Sequence, residues 1–295
     1  MIKYNASQKL IKDCDRAFFD RLTNIADEMF KNDDVKIICL SGPTCSGKTT
    51  VANILLNYLR QKNINGHLVS LDNFFYDREY LDELSLKKGL KTVDYDSADT
   101  LDLEALKAFV KEIFTSSQVH CPLFDFQSGN RNGYSTFDIS DNDIIIFEGI
   151  QCVYPEIRQI LNDYKYSSIF VSPESSIEIN GKVFVPNEIR LMRRIVRDSN
   201  FRGTSAEKTL RIWEGVRSNE EKNIFPYVDS CEHHLDSTMP YEIGVLAPYL
   251  KRVLGSIPEN SPCFDTASKI LNNISGVMPI SDSFISEESI YKEFV

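Results

Sequence analysis

The residues with the clearest chemical potential are Gly42-Pro43-Thr44-Cys45-Ser46-Gly47-Lys48-Thr49, which fit the pattern G-x-x-x-x-G-K-[ST]. Glycines at the two ends let the backbone turn tightly and come close to phosphate oxygens. Free N–H groups at the start of the following helix point at the anion, and the helix dipole adds to the attraction. Lys48 is long enough to reach the outer phosphates of a nucleotide, and the Thr49 hydroxyl can ligate Mg²⁺. Gly42, Thr44, Cys45, Ser46, Gly47, Lys48, Thr49 and Thr50 are therefore expected to form a phosphate site, with Cys45 contributing backbone only. The ordinary alternative is a Gly/Ser-rich turn with a surface lysine. The position of the run, between an apolar strand and a helical pattern, argues against it.

A phosphate loop does not say what is done with the nucleotide. That is decided at the carboxyl ends of neighbouring strands, where open α/β sheets bind their ligands. Asp72 ends the run HLVSLD and Glu148 follows DIIIF. Either carboxylate, with Thr49, can hold Mg²⁺ directly or through water. Asp72 can also accept the proton of an attacking hydroxyl. Phe75 and Tyr76 follow it closely enough to face a substrate. Further on, NEIRLMRRIVRD places Arg190, Arg193, Arg194 and Arg197 at i, i+3, i+4 and i+7, on one helical face. Arg202-Gly203 and a capping-box pattern, Thr204-Ser205-Ala206-Glu207, open another helix. Helix, joint and helix with guanidiniums near the joint suit a lid over phosphates. A solvated basic face is the alternative, and part of this arginine set is expected to be structural.

The elements that must position these groups can be read from periodicity. Leu10, Cys14, Phe18, Leu22, Ile25 and Met29 give a lead-in helix from about Ser7 to Phe30. Strands are expected at Val35–Leu40, His67–Asp72, Asp143–Phe147 and Tyr166–Ser172. Helices are expected after Lys48, over Leu101–Phe114, and through most of the chain beyond Asn187. VHCPLFDF and YSTFDI flank the turn-rich SGNRNG, which predicts a β-hairpin near 119–139, and Asn180-Gly181 predicts a smaller one. The alternation predicts an α/β fold with a mainly parallel sheet and helices on both faces. The expected organisation is one domain over 1–295: an N-terminal helix in 1–34, a core over 35–254 with a lid near 187–207, and a surface-wrapping segment over 255–295.

The net charge of −10 disfavours wrapping of nucleic acid phosphates. The seven cysteines are odd in number and contain no CxxC pair, as in reduced cytosolic thiols. No apolar run is long enough to span a membrane, and the charged start lacks the apolar core of a signal peptide. A cytoplasmic location is expected, and a homo-oligomer is compatible with the sequence. Cys231, His233 and His234 fit no standard zinc spacing.

Taken in order, SGPTCSGKTT, VSLDNFFYDRE, DYDSADTLDLEAL, CPLFDFQSGNR, IIIFEGI and RLMRRIVRDSNFRG resemble the uridine kinase and phosphoribulokinase family of P-loop kinases, from about Val35 to Leu254. RIWEGVRSNEEKNIFPY and PYEIGVLAPYL look closest to a bacterial uridine kinase-like branch whose kinase part often follows TGS and editing segments. No such segments are seen in these residues, so functions residing in them are not implied. The resemblance implies ATP and Mg²⁺ as cofactors and phosphorylation of the 5′-hydroxyl of a nucleoside. It casts Asp72 as the catalytic aspartate, Asp96 as the residue gripping the ribose 2′- and 3′-hydroxyls, and Tyr95 as the aromatic beside it. It makes Glu148 magnesium-linked, and Arg194, Arg197 and Arg202 lid and substrate-side arginines. Lys48, Asp72, Arg197 and Arg202 are thus the expected catalytic set. Asp72, Tyr76, Tyr95, Asp96, Phe124 and Arg194 are expected at the substrate.

The sequence departs from the family pattern in three places. Where the pyrimidine kinases carry a tyrosine and a histidine that read the base, Phe124 and Gly129 stand here, and the second arginine of RGR is Thr204. An apolar hairpin discriminates less between bases than one that hydrogen-bonds their edges. Two other readings stay open: a kinase acting on another alcohol, such as a sugar phosphate or a pantothenate-like compound, and a nucleotide-binding regulator without a phosphorylated product.

Overall fold

The computed structural model describes residues 8–31, 35–90 and 93–295. Along the chain run α1 (Gln8–Met29), β1 (Ile37–Ser41), α2 (Lys48–Gln61), β2 (Gly66–Ser70), α3 (Arg78–Lys87) and α4 (Leu103–Thr115). The hairpin β3 (Gln118–Asp125) and β4 (Asn130–Asp138) comes next, then β5 (Ile144–Glu148), α5 (Pro155–Leu161) and β6 (Tyr166–Ser172). The small hairpin β7 (Ile177–Ile179) and β8 (Lys182–Phe184) leads into α6 (Pro186–Phe201) and α7 (Ala206–Asn223). The chain closes with β9 (His233–Asp236), α8 (Glu242–Leu254), α9 (Phe264–Asn273) and short 3₁₀ turns.

The central sheet has the order β2-β5-β1-β6-β9, and every pairing in it is parallel. Its inner strands β5, β1 and β6 are buried on both faces, whereas the edge strands β2 and β9 are partly exposed. Alternation along β1 sends Ile38 and Leu40 to a core shared with α1, α2, α6 and α8. Ile37 and Cys39 point to a second core with Phe74, Phe109 of α4 and Ile157 of α5. This is the expected α/β sheet with helices on both faces. Parallel pairing also brings the carboxyl ends of β1, β2, β5 and β6 to one edge. Leu40 pairs with Glu148 and with Ile169, and Ser70 pairs with Glu148.

Three expectations change, and part of a fourth lies outside the described residues. The fifth strand, β9, lies in the stretch read as helical and contains His233 and His234, so these histidines alternate across a sheet edge. The hairpin turn is confined to 126–129, and Asn130–Gly133 of the expected turn belong to β4. The closing segment does more than wrap the surface: Ile290, Tyr291 and Phe294 are fully buried in the core of α1, α2 and α8. The lead-in helix is described from Gln8; the expected start at Ser7, together with 1–6 and 32–34 of the N-terminal segment, lies outside the described residues.

Candidate active site

The loop from Gly42 to Gly47 joins β1 to α2 and lies against β6. A Cβ on Gly42 would stand 2.1 Å from the carbonyl oxygen of Val171, so no larger residue fits without moving backbone. Cys45 and Gly47 both have positive φ, 59° and 95°, which turn successive N–H groups inward. The Lys48 ammonium donates to the carbonyls of Gly42, at 2.8 Å, and Pro43, at 3.2 Å. Thr49 and Thr50 sit in the first turn of α2. The Ser46 hydroxyl is fully buried and has no protein partner.

The outer side of the loop is held by α6, whose Arg190 and Arg193 are neither solvated nor on a lid and form the structural part of the arginine row. Arg190 and Arg193 are 1% and 0% exposed. Arg190 donates from Nε to the Thr44 carbonyl at 3.0 Å and pairs with buried Glu220. Glu220 also accepts the Thr44 N–H at 3.4 Å. Arg193 donates to the Cys45 carbonyl at 3.3 Å and forms a two-pronged pair with Glu242 at 2.7 and 3.0 Å. The two arginines therefore fix the loop backbone from behind. Burial pushes the Cys45 thiol up, which keeps it protonated and inert.

Asp72 lies one residue into the 3₁₀ turn Leu71–Phe74 that follows β2, and its N–H is capped by Ser70 Oγ at 3.3 Å. The strand register sets it beside Glu148. Its carboxyl is pushed up from the ordinary aspartate range by burial and by the Glu148 charge, against the pull of a Gln151 hydrogen bond and of Lys48. Glu148 is likewise raised by burial, opposed by Lys48 and reinforced by Glu293. Gln151, buried in the turn after β5, donates to Asp72 Oδ1 at 3.3 Å. Two carboxylates and one ammonium at the mouth of a phosphate loop can hold a divalent cation with Thr49, and can take a proton from a hydroxyl.

Asp96 stands in the loop before α4, with its backbone carbonyl bonded by the Tyr154 hydroxyl and its carboxylate approached by Asn219. Burial raises it as well. Tyr95 packs edge-on against Phe75, centroids 5.3 Å apart, and Phe75 packs edge-on against Phe124 at 5.5 Å. The three rings form an apolar wall between Asp72 and the hairpin. Asn73 accepts the Phe124 N–H at 3.1 Å, which ties β3 to the turn carrying Asp72. Arg131 of β4 clamps that turn again, donating to the carbonyls of Phe74 and Phe75 and to Asp102. Tyr76 stacks with Tyr80 and lies under the Arg131 guanidinium, at the rim of this wall. Gly129 is a turn glycine with φ 73°, and a Cβ there would meet Arg78 Nε at 2.6 Å. A side chain at Gly129 would be strained by the positive φ and would have to move the flexible Arg78 guanidinium.

At the α6–α7 joint, Asp198 gathers three arginines: Arg194 at 3.3 Å, Arg197 at 2.9 Å and Arg202 at 3.9 Å. Arg197 is buried and also faces Glu293 at 4.0 Å, whereas Arg202 is largely exposed. The Thr204 N–H bonds the Asp198 carbonyl at 3.0 Å, closing the joint at Gly203. Thus Arg194, Arg197 and Arg202 come together around one carboxylate, and Arg190 and Arg193 do not join them. Sequence reasoning missed Gln151, Arg131, Asn219 and Glu293. Arg131 and Asn219 stand inside the quoted motifs CPLFDFQSGNR and RIWEGVRSNEEKNIFPY, Gln151 directly follows IIIFEGI, and no spacing marks Glu293. Among the described residues, no group of three or more His, Cys, Asp or Glu is placed to hold a metal. No helix among them is long and apolar enough to cross a membrane.

The model of the phosphoribulokinase / uridine kinase family matches residues 37–240. The chain is 31% identical over 180 residues to a uridine kinase of Mycoplasma genitalium, covering 61% of this chain and 74% of that one. It is 27% identical over 213 residues to a uridine kinase of Borrelia turicatae, covering 70% and 86%. Among solved structures, a candidate fructose transport system kinase from Silicibacter sp. TM1040 superposes with TM-score 0.50 at 17% identity, over 74% of this chain and 98% of that one.

Proposed function

Because the chain belongs to the phosphoribulokinase / uridine kinase family of P-loop kinases, we propose that it transfers the γ-phosphate of ATP to the 5′-hydroxyl of a nucleoside. The observation that carries this reading is the placement of Asp72: buried, beside Glu148 and the Lys48 loop, and facing an aromatic wall that ends at Asp96. A regulator that only binds nucleotide needs no base at that point.

In this reading the loop amides, Lys48 and the buried Ser46 hydroxyl take the phosphates. Asp96 accepts hydrogen bonds from the vicinal hydroxyls of the sugar, and Phe75, Tyr95 and Phe124 flank the rest. Arg194 and Asp72 face the acceptor. Asp72 takes the proton of the 5′-hydroxyl as its oxygen bonds to the γ-phosphorus, and the bond to the bridging oxygen breaks to leave ADP. Thr49 and Glu148, with Asp72 nearby, are the residues suited to hold Mg²⁺, which neutralises phosphate charge when bound. Arg197 and Arg202 add positive charge at the joint, where closure excludes water.

A second reading keeps the reaction and changes the acceptor. The Phe124 ring offers no hydrogen bond to a base edge and Gly129 has no side chain, so selection for uridine or cytidine is weak. Incubation of a panel of ribonucleosides, sugar phosphates and other alcohols with Mg-ATP, read by product mass, tests both readings. A nucleoside 5′-monophosphate is the expected product. ATP hydrolysis with no phosphorylated acceptor would contradict the proposal.

A further inference from the structure

Helix α7 carries Asn219 and Glu220 side by side, and the two side chains reach opposite ends of the site. The Asn219 amide nitrogen lies 3.4 Å from Asp94 Oδ1 and 3.4 Å from Asp96 Oδ2. An amide between two carboxylates must present its NH₂ group, because its carbonyl oxygen would face two acceptors. Asp94 Oδ1 also accepts the Asp96 N–H at 3.2 Å, so one amide closes a short loop that would otherwise set two like charges against each other. Next to it, Glu220 is buried, accepts the Thr44 N–H of the phosphate loop at 3.4 Å, and is pinned by Arg190 and by Arg217 at 2.7 Å. Neighbouring positions on a helix diverge by about 100°. One turn of α7 therefore grips the acceptor loop with one residue and the phosphate loop with the next.

We propose that Asn219 is a positioning residue for the acceptor, orienting Asp94 and Asp96, and that with Glu220 it makes α7 the mechanical link between the acceptor and phosphate halves of the site. The inference rests on the reading of Asp96 as the acceptor carboxylate. Asn219 touches neither reacting atom; it acts by holding Asp96. Since α7 also holds Thr44, occupancy of one half should favour the other, and the effect must be reciprocal.

The test uses the full chain with Mg-ATP and uridine, cytidine, adenosine and guanosine in turn, comparing wild type, Asn219→Ala, Asn219→Asp and Asn219→Ser. Asn219→Ala is expected to raise the acceptor KM about tenfold or more, the worth of a hydrogen bond to a charged group, with a smaller rise in the KM for ATP as the coupling through α7 is lost. Asn219→Asp keeps the size and replaces the donor with a third carboxylate, so its acceptor KM should rise further. Asn219→Ser keeps a short donor and should fall between wild type and Asn219→Ala. A residue that only packs would show the reverse order, with the near-isosteric Asp the mildest change. An acceptor KM unmoved in Asn219→Ala, or Asn219→Asp milder than Asn219→Ala, overturns the inference alone. Absence of any phosphorylated ribonucleoside from wild type overturns the functional reading and the inference with it.

Discussion

The phosphate loop and the acceptor side of the cleft are held in place by different means. Behind the loop stand two buried ion pairs, Arg190 with Glu220 and Arg193 with Glu242, each arginine also bonded to a loop carbonyl. The acceptor side is held by one partly exposed ion pair, Arg131 with Asp102, by single bonds of 3.1–3.4 Å from Asn73, Gln151 and Asn219, and by aromatic edges. Fully buried ion pairs are costly to break, whereas a partly exposed pair, single amide bonds and ring contacts are more readily traded. The phosphate half is thus built to a fixed geometry and the acceptor half to an adjustable one. That is what a family with a common phosphate donor and diverse acceptors requires.

The contrast can be broken most severely from behind the loop. Arg193→Met leaves Glu242 buried without its partner and frees the Cys45 carbonyl, and loss of one member of a buried pair costs about 3–5 kcal/mol. Chemical denaturation should show this as a lowered midpoint. A midpoint equal to wild type would mean that the pair is not what fixes the loop. Lys48→Ala removes the cation beside the outer phosphates, and turnover should fall by about 10²–10³-fold or more in a folded protein.

The acceptor half should yield smaller, substrate-dependent effects. If Asp96 accepts both sugar hydroxyls, a 2′-deoxynucleoside loses one charge-assisted bond worth about 1.5–3 kcal/mol, or roughly ten- to a hundredfold in kcat/KM. Equal kcat/KM for the ribo and deoxy forms would remove Asp96 from the sugar. Least affected should be Glu293→Gln. The carboxylate faces Arg197 and raises Glu148, so its removal should lower the KM for ATP by about two- to fivefold, the scale of one partly exposed charge. A raised KM would show that Glu293 orients Arg197 instead.

The same contrast governs what could be read from the sequence. The phosphate loop is local: eight consecutive residues between a strand and a helix carry both its identity and its place. β5 opens on a continuous apolar run and β6 contains the shorter run Ile169–Val171, so both are legible, and register then puts Glu148 beside the loop. The four arginines are legible as a helical row, but the carboxylate partners of Arg190 and Arg193 lie 30 and 49 residues further on, so no spacing marks these two as buried. β9 is four residues long with two histidines, too short and polar for a period of two to stand out. Ile290, Tyr291 and Phe294 are sparse apolar residues in a Ser-rich tail, and only the fold shows them under Gly47 and α6. At Gly129 the sequence shows only a missing side chain, and the structure adds that the residue has positive φ and lies beside Arg78.

The central claim is that Asp72 activates the acceptor, and the kcat of Asp72→Asn measured across a Mg²⁺ titration tests it most directly. Asparagine keeps the size and much of the hydrogen bonding and removes basicity and charge. A general base contributes about 10²–10⁴-fold, so kcat should fall by that factor with little change in the KM for ATP, and added Mg²⁺ should restore almost nothing. Recovery with rising Mg²⁺ would make Asp72 a metal-supporting residue. Near-native phosphoryl transfer by the Asn variant to every acceptor would contradict the mechanism at its centre.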